Sequence, residues 1–219
     1  MTRLPFALAV SVAMAAHGAQ QNPGERDLLT LSAATASDSL PPLWQRRAVR
    51  GSTSPTSAIR EDGSGRFLSI NGERQAAWFA LDLRRQPLAR GGTAHLEYRL
   101  PVVPAGSDLT VRDQSDAALR LYFVLESPRR LLPGTRLVMY SMGTVNSGVR
   151  VQRTNTVCDI RVPQSRTLTW QSFVVSPAND AARDCGWNEG RILAVGMMQD
   201  TDQTGAPAEA HIRAFVWRE

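Results

Sequence analysis

Apolar residues recur at every second position along much of this chain, and that period restricts its fold more than any other feature. Residues 94–100 alternate alanine, leucine and tyrosine with histidine, glutamate and arginine. Residues 77–83 alternate in the same way and place Trp78 and Phe79 on opposite faces. Because successive side chains of a β-strand point to opposite faces, this period predicts strands with one buried face.

About eight or nine such segments, separated by turn signals, predict an all-β protein with one domain, a sandwich of antiparallel strands. Residues 192–198 are apolar on both faces, which is typical of a central strand covered from both sides. Elsewhere, the leucines within 25–39 favour a short helix, and 177–190 is interpreted as a polar loop. A chain of 219 residues is long enough to bury a sizeable core.

Residues 1–19 are predicted to be a secretory signal peptide. Arg3 supplies a positive charge, and residues 4–16 form an apolar stretch that is too short to span a bilayer. Small residues follow, so we expect cleavage near Gly18 or Ala19. The protein is therefore expected to be periplasmic or secreted.

The remainder is divided into a lead-in over 20–42 and the sandwich domain over 43–219. No apolar run after the leader approaches the roughly 18 residues of a membrane helix, so no transmembrane segment is expected after cleavage. All 25 basic residues are arginine, and the net charge is +5. The arginines are scattered and form no basic face with interleaved aromatics, so the sequence predicts no binding to nucleic acid.

The chain has two cysteines, Cys158 and Cys185, and in an exported protein the simplest state for this pair is a disulfide bond. The chain-entropy argument gives such a bond about 3.5 kcal/mol of stabilisation. The alternative is a catalytic thiol beside His95 or His211, which export disfavours because both thiols then oxidise. Two thiols also fall short of a structural zinc site.

An acidic turn follows the apolar run at 192–198. Asp200, Asp202 and Thr204 place side-chain oxygens at alternate positions, and Gly205 follows. This spacing copies the first half of a calcium loop, so these three residues are candidate metal ligands and calcium is the cofactor that the sequence indicates. The alternative is a hairpin whose aspartates cap backbone amides and whose glycine takes a positive φ. The turn is not an EF-hand, because His211 occupies the position of the last ligand.

Three polar residues and two tryptophans are candidates for binding a ligand. Asp116, Arg120 and Tyr122 share one face of a predicted strand, and such a row suits a hydroxylated or anionic ligand. Trp170 and Trp187 are candidate platforms for a sugar ring, and Trp187 is expected to be the more exposed because it lies in a polar segment. The alternative is structural, with the polar groups bonded within the fold and the tryptophans in the core.

Four features of the chain resemble one bacterial family. They are Trp44 at the start of the domain, the strand over 116–124, Trp170 before a Cys-Gly loop, and the turn over 197–205 followed by a strand. Together they are similar to the family catalogued as domain of unknown function three-zero-four-seven. The resemblance implies a sandwich like the galactose-binding or jelly-roll modules, and it implies no activity. Ser115 stands where the family has the first of two aspartates, so no site is implied for that pair.

The sequence favours an exported, non-catalytic module that binds a carbohydrate or another ligand of the cell envelope. The first alternative is a carbohydrate-active hydrolase, which needs two carboxylates about 5–10 Å apart. The second is a structural or protein-interaction domain of the envelope. A pocket with two carboxylates, one of raised pKa, would favour the enzyme, and an aromatic groove without such a pair would favour the binding module.

We expect the mature protein to begin near Gln20 when it is purified from its native host, because the leader is removed during export. Mass spectrometry of the intact protein measures this directly. A mass that includes Met1 and residues 2–19 would contradict export through this leader.

Overall fold

The computed structural model describes residues 24–36, 39–126, 135–188 and 190–219, so the predicted leader lies outside the described residues. This part of the chain contains thirteen β-strands and one α-helix. The strands are β1 (Glu25–Asp27), β2 (Trp44–Ala48), β3 (Thr56–Asp62), β4 (Gly65–Gly72), β5 (Ala76–Asp82), β6 (Thr93–Val102), β7 (Ala117–Glu126), β8 (Thr135–Gly143), β9 (Val151–Arg153), β10 (Val157–Pro163), β11 (Thr167–Val175), β12 (Ile192–Asp200) and β13 (Ala208–Arg218). The helix α1 is Pro177–Cys185, and short 3-10 helices lie at Leu31–Ala33 and Arg112–Gln114.

The strands form two sheets that enclose one hydrophobic core, which confirms the predicted all-β sandwich. Sheet A has the order β11-β6-β13-β4-β3, with β1 also paired to β13. Sheet B has the order β2-β5-β12-β7-β8-β10-β9. The strands outnumber the expected eight or nine because several, such as β1 and β9, are too short to show a period. One pair, β8 with β10, is parallel, whereas the other pairs of named strands are antiparallel.

The alternation read from the sequence defines the two faces of the longer strands. In β6 every second residue is buried, from Ala94 to Leu100, as the period predicted. Strand β12 lies between β5 and β7, in the middle of sheet B. Its inner residues Val195 and Met197 are fully buried in the core. Residues 195–200 are buried on both faces, as expected of a central strand, whereas Leu193 and Ala194 are only partly buried.

Aromatic side chains join the two sheets across the core. Phe123 of sheet B packs edge-to-face against Phe215 of sheet A, with the ring centres 6.2 Å apart. Trp44 lies 6.4 Å from the Phe215 ring, and its Nε1 donates a hydrogen bond of 2.9 Å to the carbonyl oxygen of Leu28. Burying a phenylalanine side chain of this kind contributes about 1.5–3 kcal/mol. These contacts hold sheet A at a fixed position over sheet B.

The described part of the lead-in belongs to the sandwich, and the helix expected within 25–39 is not formed by these residues. Strand β1 pairs with β13, and the Oδ1 atom of Asp27 then accepts hydrogen bonds from the amides of Leu29 and Thr30, which ends the strand in a tight turn. Leu28 and Leu29 are each only 1% exposed. These leucine side chains cover the edge of the core, and they do not form one side of a helix.

The segment expected to be a polar loop contains the helix α1 instead. Pro177 lies in the first turn, where proline is favoured, and Ala178 and Ala181 face the core. Gly186 ends the helix with a φ of 67°, and its amide donates to the carbonyl oxygens of Ala181 and Ala182. The segment was predicted to be a loop because the charged residues on the outer side of this short helix outweigh its few apolar residues in the sequence. Among the described residues, no helix has the length and apolar character needed to cross a membrane.

The predicted disulfide is confirmed. Cys158 in β10 and Cys185 at the end of α1 are bonded, with their Cα atoms 6.1 Å apart. Both cysteines are buried, at 0% and 4% exposure. The bond ties the helix to sheet B, and the hydrogen bond of 2.6 Å from the Tyr140 hydroxyl to Asp180 Oδ2 supports the same contact.

Replacing both Cys158 and Cys185 by serine is expected to lower the free energy of unfolding by about 3.5 kcal/mol, because the unfolded chain loses its cross-link. Urea denaturation followed by circular dichroism measures the change. The wild-type protein unfolded with and without a reductant is the matched control, since reduction removes the same bond without a substitution. Equal stability of all three samples would contradict the prediction.

Candidate functional site

The outer face of sheet B carries a row of large polar and aromatic side chains. Strand register places Trp78 opposite Met198, Met198 opposite Arg120, and Arg120 opposite Ser141. Two residues further along these strands, on the same face, Tyr122 lies opposite Gly196. The outer face of the sheet therefore combines aromatic surface at β5 and β7 with a guanidinium group next to it.

Tyr122 lies flat across the central strand because Gly196 has no side chain. A Cβ atom at Gly196 would be 2.4 Å from the Tyr122 ring and 2.2 Å from the carbonyl oxygen of Phe79. The Tyr122 hydroxyl donates a hydrogen bond of 3.2 Å to that same carbonyl oxygen. Tyr122 is only 5% exposed, and this burial raises the pKa of its hydroxyl, which therefore stays protonated. The glycine thus sets the position of the ring.

Trp78 stands beside Tyr122 and leaves part of its indole ring open. The two ring centres are 5.0 Å apart, and the rings are nearly perpendicular at 86°. Edge-to-face packing of this kind adds about 0.5–1.5 kcal/mol beyond the area that it buries. Trp78 is half-buried, whereas Tyr122 is almost fully covered. The tryptophan is therefore an aromatic surface held in place by its neighbour.

A cavity of about 550 Å³ lies next to this pair, and we call it the Trp78 cavity. Its apolar lining, besides the two aromatic rings, comprises Ala80, Val124, Leu137, Leu193 and Ala194. Its polar lining comprises Gln45, Arg47, Asp82, Arg84 and Thr135. The volume lies in the range of about 300–1,000 Å³ that is common for small-molecule sites. Apolar walls with a few polar groups are also typical of such sites.

The carboxylate in the Trp78 cavity is held ionised. Asp82 forms a salt bridge with Arg84, with 2.5 Å between Oδ2 and Nη2. Hydrogen bonds from the Arg84 side chain and backbone lower the pKa of Asp82 to about 2. At neutral pH this group can accept hydrogen bonds, but it cannot donate a proton.

Arg120 is the centre of a buried polar network beside the cavity. Its Nη1 donates a hydrogen bond of 2.6 Å to the Ser141 hydroxyl, which in turn donates a hydrogen bond of 2.6 Å to Asp159 Oδ1. Its Nη2 contacts the carbonyl oxygen of Ser115 and lies 3.4 Å from Asp200 Oδ2. Arg120 also lines a second cavity of about 540 Å³ on the same face. These contacts fix the guanidinium group in one position.

The acidic turn after β12 is closed by a residue that is distant in sequence. Asp116 Oδ2 accepts hydrogen bonds from the amide and the hydroxyl of Thr204, at 2.7 and 2.6 Å. Its Oδ1 accepts a hydrogen bond of 3.1 Å from the amide of Gln203. Gly205 has a φ of 69°, as expected for a tight turn. Burial raises the pKa of Asp200 in this turn to about 7, against the lowering effect of Arg120.

The structure brings some of the predicted ligand-binding residues together and separates others. Arg120 and Tyr122 lie side by side on the outer face of sheet B, and Asp116 is turned into the acidic turn. Trp170 lies on the outer face of sheet A, where the guanidinium carbons of Arg99 and Arg213 are 4.5 and 4.8 Å from its ring centre. Trp170 therefore cannot share a ligand surface with Tyr122.

The expectation that Trp187 is exposed is wrong. Trp187 is only 6% exposed, and the guanidinium carbon of Arg136 lies 4.7 Å from its ring centre. Its segment contains the buried end of α1, so the tryptophan packs into the core with Cys185. A sugar ring cannot stack on it in this structure.

His211, considered above as a partner for a catalytic thiol, is buried, at 8% exposure. Its Nδ1 accepts a hydrogen bond of 2.8 Å from Arg99 Nε, and its Nε2 lies 2.7 Å from Glu209 Oε1. Burial lowers the pKa of His211, although Glu209 acts in the opposite direction. The neutral ring is part of a packed patch on sheet A, and it has no thiol to activate, because both cysteines are in the disulfide.

Sequence reasoning missed Trp78, Arg47 and Asp82 as site residues. The signal for Trp78 was present, since it is a large aromatic residue on the outer face of an alternating strand. The sequence does not show that β5 lies next to β12, more than a hundred residues later in the chain. Without that pairing, Trp78 and Tyr122 belong to two unrelated strands.

Gly196→Ala is expected to lower the free energy of unfolding by about 2 kcal/mol or more, because the new methyl group would overlap the Tyr122 ring and the Phe79 carbonyl. Urea denaturation measures the loss, and near-ultraviolet circular dichroism reports the displaced ring. Gly63→Ala is the matched control, because an added Cβ there meets no atom within 4 Å. If both variants were as stable as the wild type, Tyr122 would not lie as described.

In sequence, the chain matches no protein-family model and no curated protein. The resemblance to the family of unknown function therefore stays a prediction.

Several solved structures are similar in fold. The family 11 carbohydrate-binding module of cellulosomal cellulase Lic26A-Cel5E of Clostridium thermocellum is 8% identical, over 89% of this chain and 94% of that chain, with a TM-score of 0.47. The xyloglucanase domain of NopAA, a type three effector from Sinorhizobium fredii, is 12% identical, over 80% and 93%, with a TM-score of 0.44. A cyclase from Fischerella sp. is 8% identical, over 90% and 98%, with a TM-score of 0.41. Likenesses this distant identify neither a ligand nor an activity for this chain.

Proposed function

We propose that this protein is an exported carbohydrate-binding module whose ligand occupies the Trp78 cavity on the outer face of sheet B. The half-open Trp78 ring, fixed against Tyr122 and surrounded by polar side chains, is the observation that carries the proposal. A sugar ring presents apolar C–H groups on its faces and hydroxyl groups around its edge. An aromatic surface with polar groups beside it matches both parts of such a ligand.

The polar groups around the cavity can serve as partners for hydroxyl groups. Arg47 and Arg84 offer N–H donors, and the ionised Asp82 carboxylate offers acceptors. Asp82 and Arg84 are paired with each other at this rim, so both charged groups lie beside the cavity.

The cavity supports binding more than hydrolysis. Among the described residues that line it, Asp82 is the single carboxylate. Glycoside hydrolysis commonly uses two carboxyl groups, one of them protonated through a raised pKa. The pKa of Asp82 is lowered instead, to about 2. An aromatic site without a carboxylate pair fits a binding module better than it fits a hydrolase.

Export rests on the predicted leader and is supported by the disulfide. A buried bond between Cys158 and Cys185 is typical of proteins that fold in an oxidising compartment. A polysaccharide of the cell envelope or of the surroundings would be reachable from there. We therefore place the ligand outside the cytoplasm.

Trp78→Ala is expected to weaken binding to a glycan at least tenfold, because truncating a central aromatic anchor commonly costs about 2 kcal/mol or more. A panel of soluble oligosaccharides and polysaccharides identifies the ligand by glycan array, and isothermal titration calorimetry measures the affinity of wild type and variant.

Trp170→Ala is the matched comparison, since it removes a second partly open tryptophan from sheet A. We expect this variant to bind as the wild type does. A loss of binding in Trp170→Ala alone would move the site to sheet A, and a wild-type protein that binds no glycan would contradict the proposal.

A further inference from the structure

We propose that Asp116, Asp200 and Asp202 bind a calcium ion at the end of sheet B. This site is separate from the Trp78 cavity and does not depend on the proposed ligand. It joins two residues of the acidic turn to one residue from the entrance of β7, 84 positions before Asp200 in the chain. Thr204 was the third ligand predicted from the sequence, but its hydroxyl donates to Asp116, and the Asp116 carboxylate joins Asp200 and Asp202 in the cluster.

The three carboxylates are spaced for one ion of this size. Each offers an oxygen, and these three atoms all lie within 4.8 Å of one another. Calcium binds oxygen at about 2.3–2.6 Å, so two ligands on opposite sides of the ion are at most about 5 Å apart. Three oxygens this close can share one ion, because small movements of the side chains bring each of them to coordination distance.

Asp200 supplies a second observation that points to a cation in this cluster. The residue is 7% exposed, and one of its oxygens, Oδ2, faces Arg120 at 3.4 Å. The other oxygen, Oδ1, is buried and has no hydrogen-bond partner among the described residues. A buried carboxylate oxygen without a partner is costly, and native structures rarely keep one. A cation between the carboxylates gives this oxygen a partner.

The charges in the cluster point to a divalent ion. In the described part of the chain, Arg120 pairs with Asp200, and no arginine lies within ion-pair distance of Asp116 or Asp202. Arg120 is also shared with Asp159, whose Oδ2 lies 3.9 Å from its Nη1. Among the described residues, the cluster therefore has three carboxyl groups and one shared guanidinium group to balance them. Hard carboxylate oxygens are the ligands that calcium prefers.

Hydrogen bonds within and around the turn hold Asp116 and Asp202 in place. Asp116 accepts hydrogen bonds from Gln203 and Thr204, which fixes its carboxylate but leaves lone pairs on Oδ1. The Thr204 hydroxyl donates to Asp116 and accepts a hydrogen bond of 3.2 Å from the amide of Ala206. It therefore serves to close the turn. Asp202 is exposed and receives a hydrogen bond from the Ser52 hydroxyl, so water can complete the coordination from its side.

The test compares thermal unfolding of the full chain in millimolar calcium chloride with unfolding in a chelator. At a hundredfold excess of calcium over its Kd, we expect the Tm to rise by about 5–10 °C. Isothermal titration calorimetry with calcium chloride should report one bound ion per chain. A wild-type protein that shows neither the shift nor the heat of binding would overturn the proposal.

The variants locate the site. Asp202→Asn removes one ligand charge at an exposed position, so the protein should fold, keep its Tm in chelator within about 2 °C, and lose the calcium shift. Asp62→Asn is the matched control, because it removes an exposed carboxylate from sheet A and should keep the full shift. A calcium shift that survives in Asp202→Asn, or that is lost in Asp62→Asn, would overturn the assignment to this cluster.

Discussion

Residues 195–200 of strand β12 are buried on both faces, and the rest of the molecule is arranged around that constraint. Val195 and Met197 point into the core, where both are fully buried. On the other face Gly196 lies under the Tyr122 ring, at a position where any side chain would overlap it. A shift of β12 by one residue would place a side chain under that ring, so Gly196 fixes the register of sheet B. Tyr122 also packs against Trp78, so the residues at the centre of sheet B form the floor of the candidate site.

On the outer face of sheet B, the buried guanidinium group of Arg120 is held by several groups of the fold. Arg120 is 6% exposed, and its guanidinium group reaches Ser141, Ser115 and Asp200 at once. A planar group with several N–H donors can make such contacts, whereas the single ammonium of a lysine could not reach them in the same geometry. Burying the charge is costly, and these partners offset that cost.

Local patterns in the sequence predicted the strands and their buried faces. They did not predict contacts between residues that are distant in the chain. The alternation in 94–100 predicted β6 and its buried face, because side-chain direction in a strand is a local property. The partnership of Asp116 with Thr204 spans 88 positions and follows from the strand order. Trp187 was misplaced for a related reason, since its polar neighbours hid the buried side of α1. Candidate sites built on such contacts require the topology.

The end of β12 shows how one strand serves both the core and the acidic cluster. Gln199 points inward, and its Nε2 lies within hydrogen-bond distance of the carbonyl oxygens of Ile70 and Ala208 in sheet A and of Ala118 in sheet B. The next residue, Asp200, points outward to Arg120, because successive side chains alternate. Gln199 therefore anchors the backbone from which Asp200 extends. An ion bound to Asp200 would act on a strand end that is already tied to both sheets, so its binding would stabilise the sandwich as a whole and not the turn alone.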